Sequence, residues 1–313
     1  MGISNYPHGF ANGITVRGVP VQVAHPGQVF FVNNSTVLAP GGIGGSDGNP
    51  GTYQKPFSTI NGAITQCTAG AGNIIFVMPG HAETISAAAG VALSKSGVAV
   101  IGLGTGALRP TLNFTATAST LTMSAANCAL KNILLTGGID AVVSMIVVSA
   151  ADCTIEGCEL KDVTGQMTDG ILTTAGADRL KILKHVHNGA VAAGTNAGIA
   201  IVGGDRIEIQ IDVMDGNFAV GGIDIRTTAT TNLHVHDVGR FYTRNSADIF
   251  LIDTITASTG QIGPNIYIRL TDNAANITEA ITGATFVVMD DIYVVNLAGE
   301  KGMLINWTAS TDA

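Results

Sequence analysis

A repeat constrains this chain more than any other feature. Between Asn127 and Leu270 one short pattern returns six times: Asn127-Cys128-Ala129-Leu130, Asp152-Cys153-Thr154-Ile155, Asp178-Arg179-Leu180-Lys181-Ile182, Asp205-Arg206-Ile207-Glu208-Ile209, Asn232-Leu233-His234-Val235 and Asn265-Ile266-Tyr267-Ile268. Each run opens on Asn or Asp and continues with apolar residues at alternate positions. The first apolar positions are Cys128, Cys153, Leu180, Ile207, Leu233 and Ile266, separated by 25, 27, 27, 26 and 33 residues. Alternation at period two makes a strand with one buried face. A recurrence in the twenties makes a solenoid, in which each unit is buried only by its neighbours. A further apolar strand precedes each run, so a repeat holds two or three strands and has no room for a helix. The pattern predicts an all-β chain folded as a parallel β-helix, with the six apolar positions in one inward column.

Charged residues make up 12% of the chain, about half of the roughly 25% usual in globular proteins. Mean hydropathy is +0.37, yet no stretch approaches the ~18 apolar residues of a membrane span. Such a chain is expected to cover part of its outside against sister chains or a larger assembly. The alternative is that Thr, Ser, Asn and Gly replace charge on the surface. The net charge of −8 and the lack of any basic run argue against a nucleic-acid partner. The first residues show no secretory leader pattern. Cys128 and Cys153 share the inward column, where free thiols pack as small hydrophobes, so reduced cysteines are expected.

In chain order, residues 1–40 hold strand-like stretches around Ile14–Val23 and Val29–Val32 but nothing able to form a core. They are expected to be an attachment arm. Residues 41–72 form a turn-rich lead-in loop and a short helix capped by Ser58, with Ile60, Ala63, Ile64 and Cys67 on one face. That helix would plug the open end of the solenoid, where strand edges invite other chains. The loop Ser46-Asp47-Gly48-Asn49 suggests calcium, but one carboxylate falls short of the oxygen count that ion needs. The β-helix is expected over residues 73–270, with Ala257 to Pro264 thrown out as a loop. Residues 271–313 would form a small β cap or oligomer contact.

The segments Gly45-Ser46-Asp47-Gly48-Asn49-Pro50-Gly51-Thr52, Lys55-Pro56-Phe57-Ser58-Thr59-Ile60 and Ile74-Ile75-Phe76-Val77-Met78-Pro79-Gly80 resemble the start of pectin-lyase-like right-handed β-helices. With the repeats, the resemblance covers roughly residues 44–270. It implies the fold and not the function, because that superfamily holds lyases, hydrolases, phage tailspikes and inert structural proteins.

Three sets of residues are candidate sites. The Asx column, with carboxylates at Asp152, Asp178 and Asp205, would suit a cation or a retaining-glycosidase pair; equally, each side chain can bond its own turn, and Arg179 and Arg206 lie beside them. His185/His187 and His234/His236 alternate on strands, so each pair shares a side, as zinc or iron would require. Their offsets in the repeat differ, and the two pairs should not converge. The outward series Ala129, Thr154, Lys181, Glu208, His234 and Tyr267, with Lys131 beside Glu156, reads as cross-strand charge pairing. Arg206-Ile207-Glu208 is similar to the Arg-Ile-Lys segment of polygalacturonases, but the accompanying Asn-Thr-Asp and Gly-His-Gly segments are missing.

No catalytic residue or cofactor is therefore expected, and the metal candidates stay weak. The chain resembles bacteriophage β-helix virion proteins, partly through residues 1–32. That resemblance implies a non-enzymatic, homotrimeric capsid decoration protein, held to the major capsid or another virion protein by residues 1–40. The alternative is a tail spike or fibre that binds or cleaves host polysaccharide between chains, so carbohydrate stays open as a partner.

Overall fold

The computed structural model describes residues 27–303 apart from 37, 138, 163–166, 191–194, 245–248, 256, 272–279, 283–284, 289–290, 298 and 300, together with the backbone of Ile14–Val16 and Val19–Gln22. The repeat folds as the alternation requires. The chain winds into a β-solenoid of about seven turns with mostly parallel strands. One turn presents three strand segments. The third belongs to an eight-stranded sheet that includes Val142–Val148, Met167–Thr173, Thr195–Ile201 and Phe218–Ile225. The first and second lie in a seventeen-stranded sheet that bends at a corner within each turn.

Inward residues stack in columns because equal spacing puts the same residue type at the same place in each turn. One column runs Ile75, Val100, Leu130, Ile155, Ile182, Ile209, Val235, Ile262 and Val288. All of these but the terminal Val288 are buried. Cys128, Cys153, Leu180, Ile207 and Leu233 form the neighbouring column as expected, since the residue following each is paired in register. All five are buried. Cys67, Cys128, Cys153 and Cys158 are free buried thiols, and burial pushes Cys153 and Cys158 up to about 11.

The last member of the series is misplaced. Leu233 pairs with Gly260, whereas Ile266 stacks on Val238 one strand segment further round. Residues Thr259–Ile262 are thus a strand within the sheet, not a loop thrown out of it. A glycine stands where the repeat has an apolar residue because a Cβ there would overlap the Leu233 backbone. The parallel ladder also continues past residue 270. Thr285–Val288 pairs with Thr259–Ile262, and Ile292–Val295 pairs with Ile266–Arg269. Only then does the chain reverse, with Lys301–Met303 antiparallel to the final strand.

The N-terminal boundary moves as well. Val29–Val32 pairs in parallel with Ile74–Val77 and buries Phe30 and Val32, so this strand is the first rung of the solenoid and no part of an arm. Before it, Ile14–Val16 and Val19–Gln22 make a two-stranded antiparallel ribbon. The rest of residues 1–26 and residues 304–313, including Trp307, lie outside the described residues.

The end-plugging helix spans Ile60–Gln66 and buries Ile60, Ala63 and Ile64. It packs against Val29–Val32, Ile74–Val77 and Val91–Leu93. Thr59, not Ser58, is its N-cap, accepting from the Gly62 amide at 2.9 Å. Ser58 instead serves Asp47. The Asp47 carboxylate accepts from the Ser58 and Thr59 amides and from both hydroxyls at 2.7–2.9 Å. Burial pushes this carboxyl up, but those four bonds outweigh it and hold it below its ordinary value. Asp47 therefore pins the loop to the helix start. Asp47→Ala should lower stability by about 1–2 kcal/mol, as the loss of a cap does, read as a shift in the urea midpoint.

Candidate functional site

Two corners of the turn recurrently take a left-handed backbone. The corner before the first segment is occupied by Gly72, Gly97, Asn127, Asp152, Arg179, Arg206 and Asn232, all with φ between 53° and 74°. The corner between first and second segments is occupied by Asn132, Gly157, Lys184, Asp237, Asn265 and Asp291. Asn and Asp tolerate this conformation best among residues with a side chain. That explains the Asx signal, and also its false member: Asn265 belongs to the second corner.

The Asx column is therefore not a stack of carboxylates. Arg179 and Arg206 take the position that Asp152 holds in its turn, and Asp178 and Asp205 fall one residue earlier. Along this corner the amides of Gly97, Asn127, Asp152, Arg179 and Arg206 donate to the carbonyl preceding the corner residue of the next turn. The side chains are engaged too. Arg179 grips Asp152 of the turn before with two bonds, Nε–Oδ1 at 2.6 Å and a terminal nitrogen to Oδ2 at 2.7 Å. This holds the Asp152 carboxyl below its ordinary value. Asp178 accepts from the Asp205 amide at 2.9 Å. Asp205 accepts from Asn232 at 2.8 Å and Thr231 at 2.9 Å, which lowers its carboxyl, and pairs with Arg206 at 2.8 Å. Asp152, Asp178 and Asp205 form a turn ladder.

The outward face of the first segment carries Ala129, Thr154, Lys181, Glu208, His234 and Gln261 in register. Gln261 takes the place expected for Tyr267, for the reason that displaced Ile266. Lys181 meets Glu208 at 3.0 Å, and Lys131 meets Glu156 at 2.8 Å. His234 is opposite Glu208, but it is His236 that reaches that carboxylate, at 3.3 Å, while its other nitrogen lies 2.8 Å from Asp237. The His234 ring stacks on His236 with centroids 4.3 Å apart. His234 also lines an open hollow of about 490 Å³ with Asn232, Thr259, Gly260, Gln261 and Val287.

The other histidine pair is inside. His185 stands in the column Ile133, Cys158, His185, Ile211, Val238, Ile266, Ile292; His187 stands in Leu135, Leu160, His187, Met214, Phe241, Ile268, Val294. They are 1% and 0% exposed, and among the described residues none of their four ring nitrogens has a hydrogen-bond partner. Burial drives their pKa values down to about 3 and about 4, which keeps both rings neutral. The two pairs do not converge, because one faces the core and the other the outside. Among the described residues no three His, Cys, Asp or Glu side chains gather as a metal would require.

One constellation escaped the sequence. On the eight-stranded sheet, Asp169 and Asp224 are both nearly buried, and Arg226 bonds to each, to Asp224 at 3.2 Å. Burial raises both carboxyls, and Arg226 only partly offsets it. Among the described residues one buried oxygen of Asp169 has no partner. Fifty-five residues separate Asp169 from Asp224, so no local motif announces the cluster. Only the pairing of Asp169 with Ala197, and of Ala197 with Gly221, shows that they lie close.

Comparison with protein-family models, with curated proteins and with solved structures returned no match. The site's own geometry therefore has to carry the functional reading.

Proposed function

We propose that the protein is a non-enzymatic structural rod of a larger particle. On the resemblance of its sequence to phage β-helix proteins, the particle is a virion and the rod a homotrimeric capsid decoration protein. The observation that carries the reading is how the outward carboxylates are used. Asp152, Glu156, Glu159, Glu208 and Asp215 each reach an arginine or lysine, and most of these pairs tie one turn to another. Such side chains brace the solenoid and leave no acid–base pair on that surface. Sister chains would meet on the eight-stranded sheet. Its central outward column is Ala92, Thr122, Val147, Leu172, Ala200, Asp224, Ile252 and Thr282, of which Ala200 and Asp224 are already buried within the chain and the others are partly exposed. The charged face of the long sheet would then point away from a threefold axis, closed rotational symmetry being the usual outcome of self-association.

Attachment to the particle would fall to residues 1–26, since Val29–Val32 belongs to the rod. Deleting residues 1–26 is expected to leave a folded trimer that no longer binds particles. Sedimentation as a monomer at micromolar concentration defeats the trimer, and decoration by the truncated form defeats the arm. A second reading, cleavage of a polysaccharide, draws on Asp169 and Asp224, whose raised carboxyls are what a general acid needs. Release of reducing ends or unsaturated sugars from capsule or lipopolysaccharide, abolished by Asp169→Asn, would favour it over the structural role.

A further inference from the structure

The aromatic side chains of this chain divide by position. Of the described phenylalanines, most are buried, and Phe218, Phe241 and Phe250 form a stack in the core. Three tyrosines, Tyr242, Tyr267 and Tyr293, gather at one end, while Tyr53 lies against Phe31 at the other. Tyr267 and Tyr293 are register partners on the adjacent strands Ile266–Arg269 and Ile292–Val295, and both face outward between buried isoleucine and valine neighbours. They are 54% and 37% exposed. One position along, Tyr242 pairs with Arg269, whose guanidinium sits 5.0 Å from the Tyr242 ring centroid; that of Arg244 sits 5.2 Å away. Asp215 answers Arg244 at 2.6 Å and Arg240 at 3.5 Å. Among the described residues no carboxylate pairs with Arg269. In a chain of net charge −8, Arg240 and Arg244 share Asp215 while Arg269 lies over Tyr242 on the next strand, which makes a local cationic patch.

We infer that this face binds an acidic polysaccharide, a chain of sugars with uronate carboxylates. The outward rings would stack on the C–H faces of the sugars. Arg269 would take the carboxylate through the paired N–H donors that suit it. Spacing favours a glycan over an acidic protein. Tyr267 and Tyr293 repeat at the strand spacing of about 4.8 Å, close to the length of one sugar unit, so consecutive units can meet consecutive turns. The inference is independent of whether the rod belongs to a virion.

The test uses the full chain in affinity electrophoresis and titration calorimetry, with polygalacturonate and alginate as acidic probes and dextran as the neutral one. The acidic polymers should retard the protein and dextran should not. Tyr267→Ala with Tyr293→Ala, and separately Arg269→Gln, should weaken binding at least tenfold without altering the sedimentation coefficient. Tyr267→Phe with Tyr293→Phe should retain most of it, and covers the case in which the alanine variant misfolds. Failure to bind either polyuronate overturns the proposal, as does equal binding of dextran or indifference to the Arg269 change. If the tyrosine variants instead split an oligomer, the face is a contact between copies and the glycan assignment falls.

Discussion

Lowering the pH from 7 to 5 should cost this protein about 4 kcal/mol of stability. The cause is the neutral histidine pair in the core. In the unfolded chain His185 and His187 titrate near their ordinary ~6.5, whereas in the folded chain burial holds them at about 3 and about 4. A group whose folded pKa is depressed below its unfolded value, and which gains charge on protonation, favours the unfolded chain as acid is added. Stability is therefore complete above about pH 6.5 and falls through the window down to about 4 and about 3. Each group contributes about 1.4 kcal/mol per pH unit within it. The surface carboxylates Glu156 and Glu208, lowered in the fold, act in the same direction only below their ordinary range, and Asp169 and Asp224, raised by burial, act in the opposite one, so over the span from 6.5 to 5 a comparison with a variant lacking both rings isolates the histidines. Urea midpoints across that span should slope steeply for the natural chain and lie flat for His185→Leu with His187→Leu. A flat profile in the natural chain would mean that the rings are hydrated or paired in solution.

The second large effect is expected at Phe241. It lies over Met214 and under Ile268 in the column that also contains His187. Its ring is 5.9 Å from Phe218 and 5.0 Å from Phe250 on the side of the eight-stranded sheet, so packing between two faces of the turn depends on it. Phe241→Ala should lose about 3–5 kcal/mol, the usual range for an emptied aromatic site, as measured by urea unfolding. Since a turn is buried only by its neighbours, the damage should start locally. Hydrogen exchange should rise first in Phe218–Ile225 and Leu233–Thr243. Loss of less than about 1 kcal/mol would show that the aromatic stack repacks to close the gap.

How far the sequence could be read depended on whether a residue's reason was local. The alternating runs from Cys128 to Leu233 declare themselves, because strand period and burial are both written in adjacent positions. Thr259–Ile262 does not. Its inward position is a glycine, required by a backbone one turn away, so the run lacks the apolar mark and the register slips to Ile266. Val29–Val32 looked coreless because the residues that cover it, Phe57 and Ile75 among them, come later in the chain. The left-handed corners were legible where Asn or Asp fills them and hidden where Arg179 and Arg206 do. The Asp169–Arg226–Asp224 cluster and the tyrosine face are products of winding alone, since turns far apart in sequence bring them side by side.

The corner ladder has a consequence for length. Gly, Asn, Asp and Arg all serve at the same corner, and the bond that matters there runs from main chain to main chain across turns. Nothing in that bond identifies which turn it belongs to. A whole turn gained or lost by gene duplication or slippage would meet an equivalent partner above and below, and would change the rod by one strand spacing, ~4.8 Å. The length of the rod is in this sense set in fixed steps, one strand spacing for each turn between the plugging helix and the strand that reverses.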